Sequence, residues 1–187
     1  MILKGLIDED FVNYKKPSMV LEFPYCTFKC DKECGSQVCQ NSSLAAAPNI
    51  EIDSEDIITR YLHNPITEAI VFQGLEPLDS ILDVIDFISR FRNKYHCNDD
   101  IVIYTGYTKE EIENIPDIYS IEMPGIKNRD QFNEEIKIFH ENMLTKLKKY
   151  DNIIVKYGRF IPNQQYHYDK ILGVNLASPN QYAERLS

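Results

Sequence analysis

Apolar and polar positions follow two periods along this chain, and the changes of period mark a succession of strands and helices. Ser18-Met-Val-Leu-Glu-Phe23 is short, β-prone and closed by Pro24, which predicts a strand. The polar, cysteine-bearing stretch over residues 24–49 is long for a connection in a compact domain, and such loops usually carry function or are ordered by a bound metal. Asp53 and Ser54 then stand where a helix cap is expected, ahead of Ile57, Ile58, Tyr61 and Leu62 on one helical face. Glu68-Ala-Ile-Val-Phe-Gln73 predicts a second strand. Helical spacing of Ile81, Leu82, Ile85, Ile88 and Phe91 predicts a helix from Leu78 to about Phe91.

Ile101-Val-Ile-Tyr104 reads as a third strand, and Thr108-Lys-Glu-Glu111 has the form of a capping box that opens a short helix toward Ile115. Ile118-Tyr-Ser-Ile121 is expected to form another strand. Phe132, Ile136, Phe139, Met143 and Leu147 mark a longer helix over residues 130–150, and Asn152-Ile-Ile-Val-Lys156 is expected to be the final strand. From Arg159 onward the pattern reads as irregular. Alternating strands and helices predict one α/β domain over residues 1–187 with a largely parallel sheet. Ligands of such sheets gather at the carboxyl ends of the strands, the edge on which the cysteine loop begins.

Composition narrows the picture. Of 187 residues, 29 are acidic and 20 basic, a formal charge of −9, which disfavours nucleic acid as a partner. No stretch approaches the roughly 20 apolar residues of a membrane span, and the start of the chain meets Asp8, Glu9 and Asp10 early, unlike a secretory signal. A cytoplasmic protein is expected. Five cysteines, an odd number without an export signal, favour reduced thiols or metal ligands over a disulfide framework.

Cys26, Cys30, Cys34 and Cys39 are clustered, and Cys97 stands apart. Thiolates suit zinc or iron–sulfur centres, and spacing alone does not choose between a structural four-cysteine zinc site and a cluster. Cys97 reads as a packing residue. His63, His96, His140 and His167 show no paired ligand motif, and Lys146-Leu-Lys-Lys149 reads as the solvated face of a helix.

Several motifs, in order, resemble the radical S-adenosylmethionine superfamily, and within it the activating proteins of anaerobic ribonucleoside-triphosphate reductase. Cys26-Thr-Phe-Lys-Cys30 resembles the first half of CxxxCxxC, with the third cysteine supplied by Cys39 in Cys39-Gln-Asn41 or, in the other register, by Cys34. Gln73-Gly-Leu-Glu-Pro-Leu78 resembles the segment that binds the amino group of S-adenosyl-L-methionine, with Leu75 where a second glycine is usual. Tyr104-Thr-Gly-Tyr-Thr108, Tyr157-Gly-Arg-Phe160 and Ala177-Ser-Pro-Asn-Gln181 resemble the family's later segments, and residues 118–147 look inserted.

The resemblance implies an incomplete (β/α) barrel of about five or six mostly parallel strands. It also implies a [4Fe-4S] cluster held by Cys26, Cys30 and Cys39, with Cys34 as the alternative or a fourth ligand. Gly74, Glu76, Tyr104, Thr105, Gly106 and Asn180 would bind S-adenosyl-L-methionine. The implied activity is formation of a glycyl radical on the partner reductase, with an electron donor such as flavodoxin or ferredoxin. Four cysteine ligands would instead saturate the cluster and imply an electron carrier; a radical enzyme acting on another substrate is the nearest rival.

Overall fold

The computed structural model describes residues 1–113 and 144–187. Short strands β1 (Ile2–Leu3) and β2 (Gly5–Asp10) lead to β3 (Ser18–Phe23), and the cysteine loop that follows contains two short helices, α1 (Lys29–Cys34) and α2 (Ser42–Ala45). After β4 (Ile50–Glu51), helix α3 (Ser54–Leu62) starts where the Asp53 side chain accepts from the Glu55 backbone N–H at 2.7 Å, the expected cap. Strand β5 (Ala69–Gly74) passes through a 3₁₀ turn, Pro77–Ser80, into α4 (Ile81–Ser89), which ends in a π-type turn, Arg90–Lys94. Then come β6 (Asp100–Tyr104), α5 (Lys109–Glu113) and β7 (Ile153–Tyr157).

β3, β5, β6 and β7 run parallel in that order at the centre of a six-stranded sheet. The margins are antiparallel: β2 lies beside β3, and β10 (Tyr182–Arg185) lies beside β7. This is the expected mostly parallel sheet of a partial barrel. The tail departs from expectation. It forms the hairpin β8 (His167–Asp169) and β9 (Val174–Leu176) before β10, so β7 is not the last strand. Its strands are three or four residues long and half polar, and they are stabilised by pairing rather than by their own apolar pattern. The expected strand over 118–121 and most of the helix over 130–150 lie outside the described residues; 144–147 are helical, with Leu144 and Leu147 buried.

The central strands read as near-continuous apolar runs because both faces are covered. On one face Leu21, Phe72, Ile103 and Val155 pack with Ile57 and Tyr61 of α3 and Phe87 of α4. The other carries Val20, Val71, Val102 and Ile154, covered by Tyr14, Leu172 and Leu176. Two residues further along that inner face stand Gln73, Tyr104 and Lys156, so a polar layer succeeds the apolar one at the carboxyl edge of the sheet.

Candidate functional site

At this edge one cavity is lined by Cys26, Cys30 and Cys39 of the cysteine loop, by Gly74, Leu75 and Glu76 after β5, and by Tyr104, Thr105 and Gly106 after β6. Lys156 and Arg159 line it from β7 and the segment beyond. The parallel register sets this up, since Phe23 at the end of β3 pairs with Gly74 at the end of β5. Gly74 has φ +99°, and a Cβ there would lie 2.6 Å from the Phe23 backbone nitrogen, so the position requires glycine. The strict demand falls on Gly74, and Leu75 is accommodated on the wall. Asn41, just after Cys39, donates to the Gly74 carbonyl at 2.6 Å and ties the far end of the cysteine loop to the strand end.

Within the loop, Phe28 adopts a left-handed conformation, φ 50°, and its backbone N–H donates to the Cys26 sulfur at 3.3 Å. Burial pushes the Cys26 thiol up to about 12 and the Cys30 thiol up to about 11, the neighbouring Cys39 adding to the second. Thiols so placed ionise when a metal supplies compensating charge. Cys34 is exposed and does not line the cavity. Cys97 packs against the main core, its thiol 3.4 Å from Asp99, consistent with a packing role.

Glu76 is 3% exposed and its carboxylate has three protein donors: Oε1 accepts from Leu78 N–H at 3.1 Å, capping the 3₁₀ turn that Pro77 opens, Oε2 accepts from Gly106 N–H at 2.8 Å, and the Thr105 side chain also hydrogen-bonds to it. Burial, then the nearby Asp79, pushes its carboxyl up to about 8. Three donors leave this carboxylate room to accept one more. Across the cavity Lys156, 6% exposed, donates to the Gly158 carbonyl at 2.7 Å and lies 5.8 Å from the centre of the Tyr104 ring. Burial pulls its ammonium down to about 8, against the opposing pull of Glu76. Among the described residues no carboxylate forms an ion pair with Lys156.

At the rim, Glu111 pairs with Lys29 at 2.5 Å and with Arg159, joining the cysteine loop to the segment after β7. Burial alone would raise the Glu111 carboxyl, but the two cations outweigh it and hold it below the usual value. Asn180 is not on the cavity wall; its side chain donates to the Arg159 carbonyl at 2.8 Å. The neighbouring Gln181 is buried and lines the cavity. Lys156 and Gln181 are lining residues to which the sequence reading assigns no site role, although a lysine ending the apolar run Ile153-Ile-Val155 is a signal.

Three half-buried thiols on one loop, lining a shared cavity, fit an iron–sulfur cluster held by three cysteines. Among the described residues no three cysteine, histidine or carboxylate side chains are drawn together around a single-ion site. A family model for a 4Fe-4S single cluster domain matches residues 18–124, from the start of β3 to beyond α5. The chain belongs to the 4Fe-4S single cluster domain family. This family is typical of radical S-adenosylmethionine activases, and the match includes every cysteine together with Glu76 and the Tyr104-Thr-Gly106 strand end. No curated protein and no solved structure matches the chain. Among the described residues no helix is long and apolar enough to cross a membrane.

Proposed function

We propose that this 4Fe-4S single cluster protein is a radical S-adenosylmethionine activase that generates a glycyl radical on an anaerobic ribonucleoside-triphosphate reductase, drawing its electron from a flavodoxin or ferredoxin. The observation that carries this reading is the division of the thiols: Cys26, Cys30 and Cys39 line one cavity with Glu76, while Cys34 lies outside. When bound, a cube held by three thiolates offers one iron for a further ligand and an electron for cleavage of a sulfonium carbon–sulfur bond.

The chain's own groups suit S-adenosyl-L-methionine. Glu76 lines the cavity with room for one further donor, and an ammonium placed there would offset the burial that raises its pKa. Lys156 carries the opposite charge on another wall and complements a carboxylate, so the two suit the ends of an amino-acid zwitterion. Thr105 and Gly106 bring the end of β6 to the same wall, and the Gly106 N–H fixes the orientation of Glu76. Support for the reductase as partner is the sequence resemblance in Tyr104-Thr-Gly-Tyr-Thr108, Tyr157-Gly-Arg-Phe160 and Ala177-Ser-Pro-Asn-Gln181.

The test is anaerobic reconstitution with iron and sulfide, reduction, and addition of S-adenosyl-L-methionine. The expected results are a changed low-temperature electron paramagnetic resonance spectrum, release of 5′-deoxyadenosine, and a glycyl radical on the reductase when it is present. A fully loaded cluster whose spectrum ignores the sulfonium compound would refute the activase.

A further inference from the structure

We infer that Asp31 is a positioning residue that delivers Cys39 to the site as the third thiol, an inference that rests on the three-thiol reading above. Residues 31–38 separate Cys30 from Cys39. A connection of that length closes on one geometry only if something offsets the entropy of holding its ends together.

The local structure shows what does so. The chain continues from Cys30 through α1, which stops at Gly35 in the left-handed conformation, φ 64°, and there turns back. The Asp31 carboxylate then gathers the returning strand. Its Oδ1 accepts from the backbone N–H groups of both Val38 and Cys39, each at 2.8 Å, and stands 3.8 Å from the Cys30 sulfur. One oxygen therefore holds the backbone that carries the third thiol beside the residue that carries the second. Residues 32–37 are looped out and exposed, and Cys34 leaves the cavity with them.

An oxygen acceptor, rather than a negative charge, is what this geometry uses. Asparagine offers the same acceptor at the same place, whereas alanine offers none.

The experiment compares wild type, Asp31→Asn and Asp31→Ala. In cluster-free protein, amide hydrogen exchange at Val38 and Cys39 is expected to be slow in wild type and Asp31→Asn, and faster by about fivefold in Asp31→Ala, the factor for one lost hydrogen bond. After anaerobic reconstitution, brief alkylation and peptide mapping should find Cys26, Cys30 and Cys39 protected in wild type and Asp31→Asn. In Asp31→Ala, Cys39 should react about as fast as Cys34 while α3 and the sheet retain wild-type exchange. Unchanged protection of Cys39 in Asp31→Ala, or its loss in Asp31→Asn, overturns the role of Asp31. Failure of the underlying reading looks different and needs no substitution: wild-type protein would then protect Cys34 in place of Cys39, or together with it.

Discussion

Glu76 shows how one side chain serves structure and chemistry together. It caps a turn, braces the end of β6 through Gly106, and still faces the cavity. Glu76→Gln keeps an acceptor for Leu78 but loses the charge that an ammonium requires, so affinity for S-adenosyl-L-methionine should fall by roughly 10- to 100-fold in an anaerobic titration followed by electron paramagnetic resonance. The cluster-free protein gives an independent readout. Because the folded carboxyl titrates near 8 and an unfolded one near 4.5, the folded state holds the extra proton between those values. The contribution of Glu76 to stability is therefore fully present below about pH 4.5 and declines as pH rises toward 8, by up to about 1.4 kcal/mol per pH unit. Glu76→Gln should flatten that slope in urea unfolding curves. Gly74→Ala makes a different prediction: the added Cβ meets the Phe23 backbone, and stability should drop by about 2 kcal/mol or more in the same curves. At this scale the sequence announced Glu76 and Gly74 through their motif. It left the choice between Cys34 and Cys39 open, because no local pattern reveals that the carboxylate of Asp31 accepts from the Val38 and Cys39 N–H groups.

Among the elements, the four parallel strands were readable because each is an unbroken apolar run between turn residues, and α3 and α4 because their apolar stripes have helical spacing. β2 is the opposite case. Its sequence, Gly5-Leu-Ile-Asp-Glu-Asp10, is half acidic, its residues are exposed or half-buried, and it is a strand because β3 offers it an edge. The same holds for β8 to β10. The end of α4 depends on another nonlocal device. Arg92, buried in the π-type turn, donates to the carbonyls of Cys97 at 2.6 Å, Asp99 at 2.8 Å and Asp151 at 3.0 Å, gathering the approaches to β6 and β7. Arg92→Met fills similar space but leaves those carbonyls without their donor, and should cost about 3 kcal/mol in denaturant unfolding, with no change in the number of thiols that iron protects. Nothing in the local pattern around Arg92 distinguishes it from a surface arginine, which is why it was not foreseen.

At the scale of the molecule, the family match stops at residue 124 while the sheet does not. β7 and β10 complete it, and the β8–β9 hairpin covers Val20, Val71, Val102 and Ile154 on the inner face. Uncovering those side chains costs roughly 1.5–3 kcal/mol each, comparable in sum with the whole stability of a domain. A chain ended after residue 161 should accordingly lose its cooperative thermal transition by circular dichroism. The shared direction of the four inner strands has a practical corollary. The groups that line the cavity sit at one rim, which leaves the turn after α3, around Asn64 and the exposed Ile66, at the opposite rim. A fluorophore or affinity handle introduced there would let the loaded protein be immobilised or tracked under anaerobic conditions with its reactive end unencumbered.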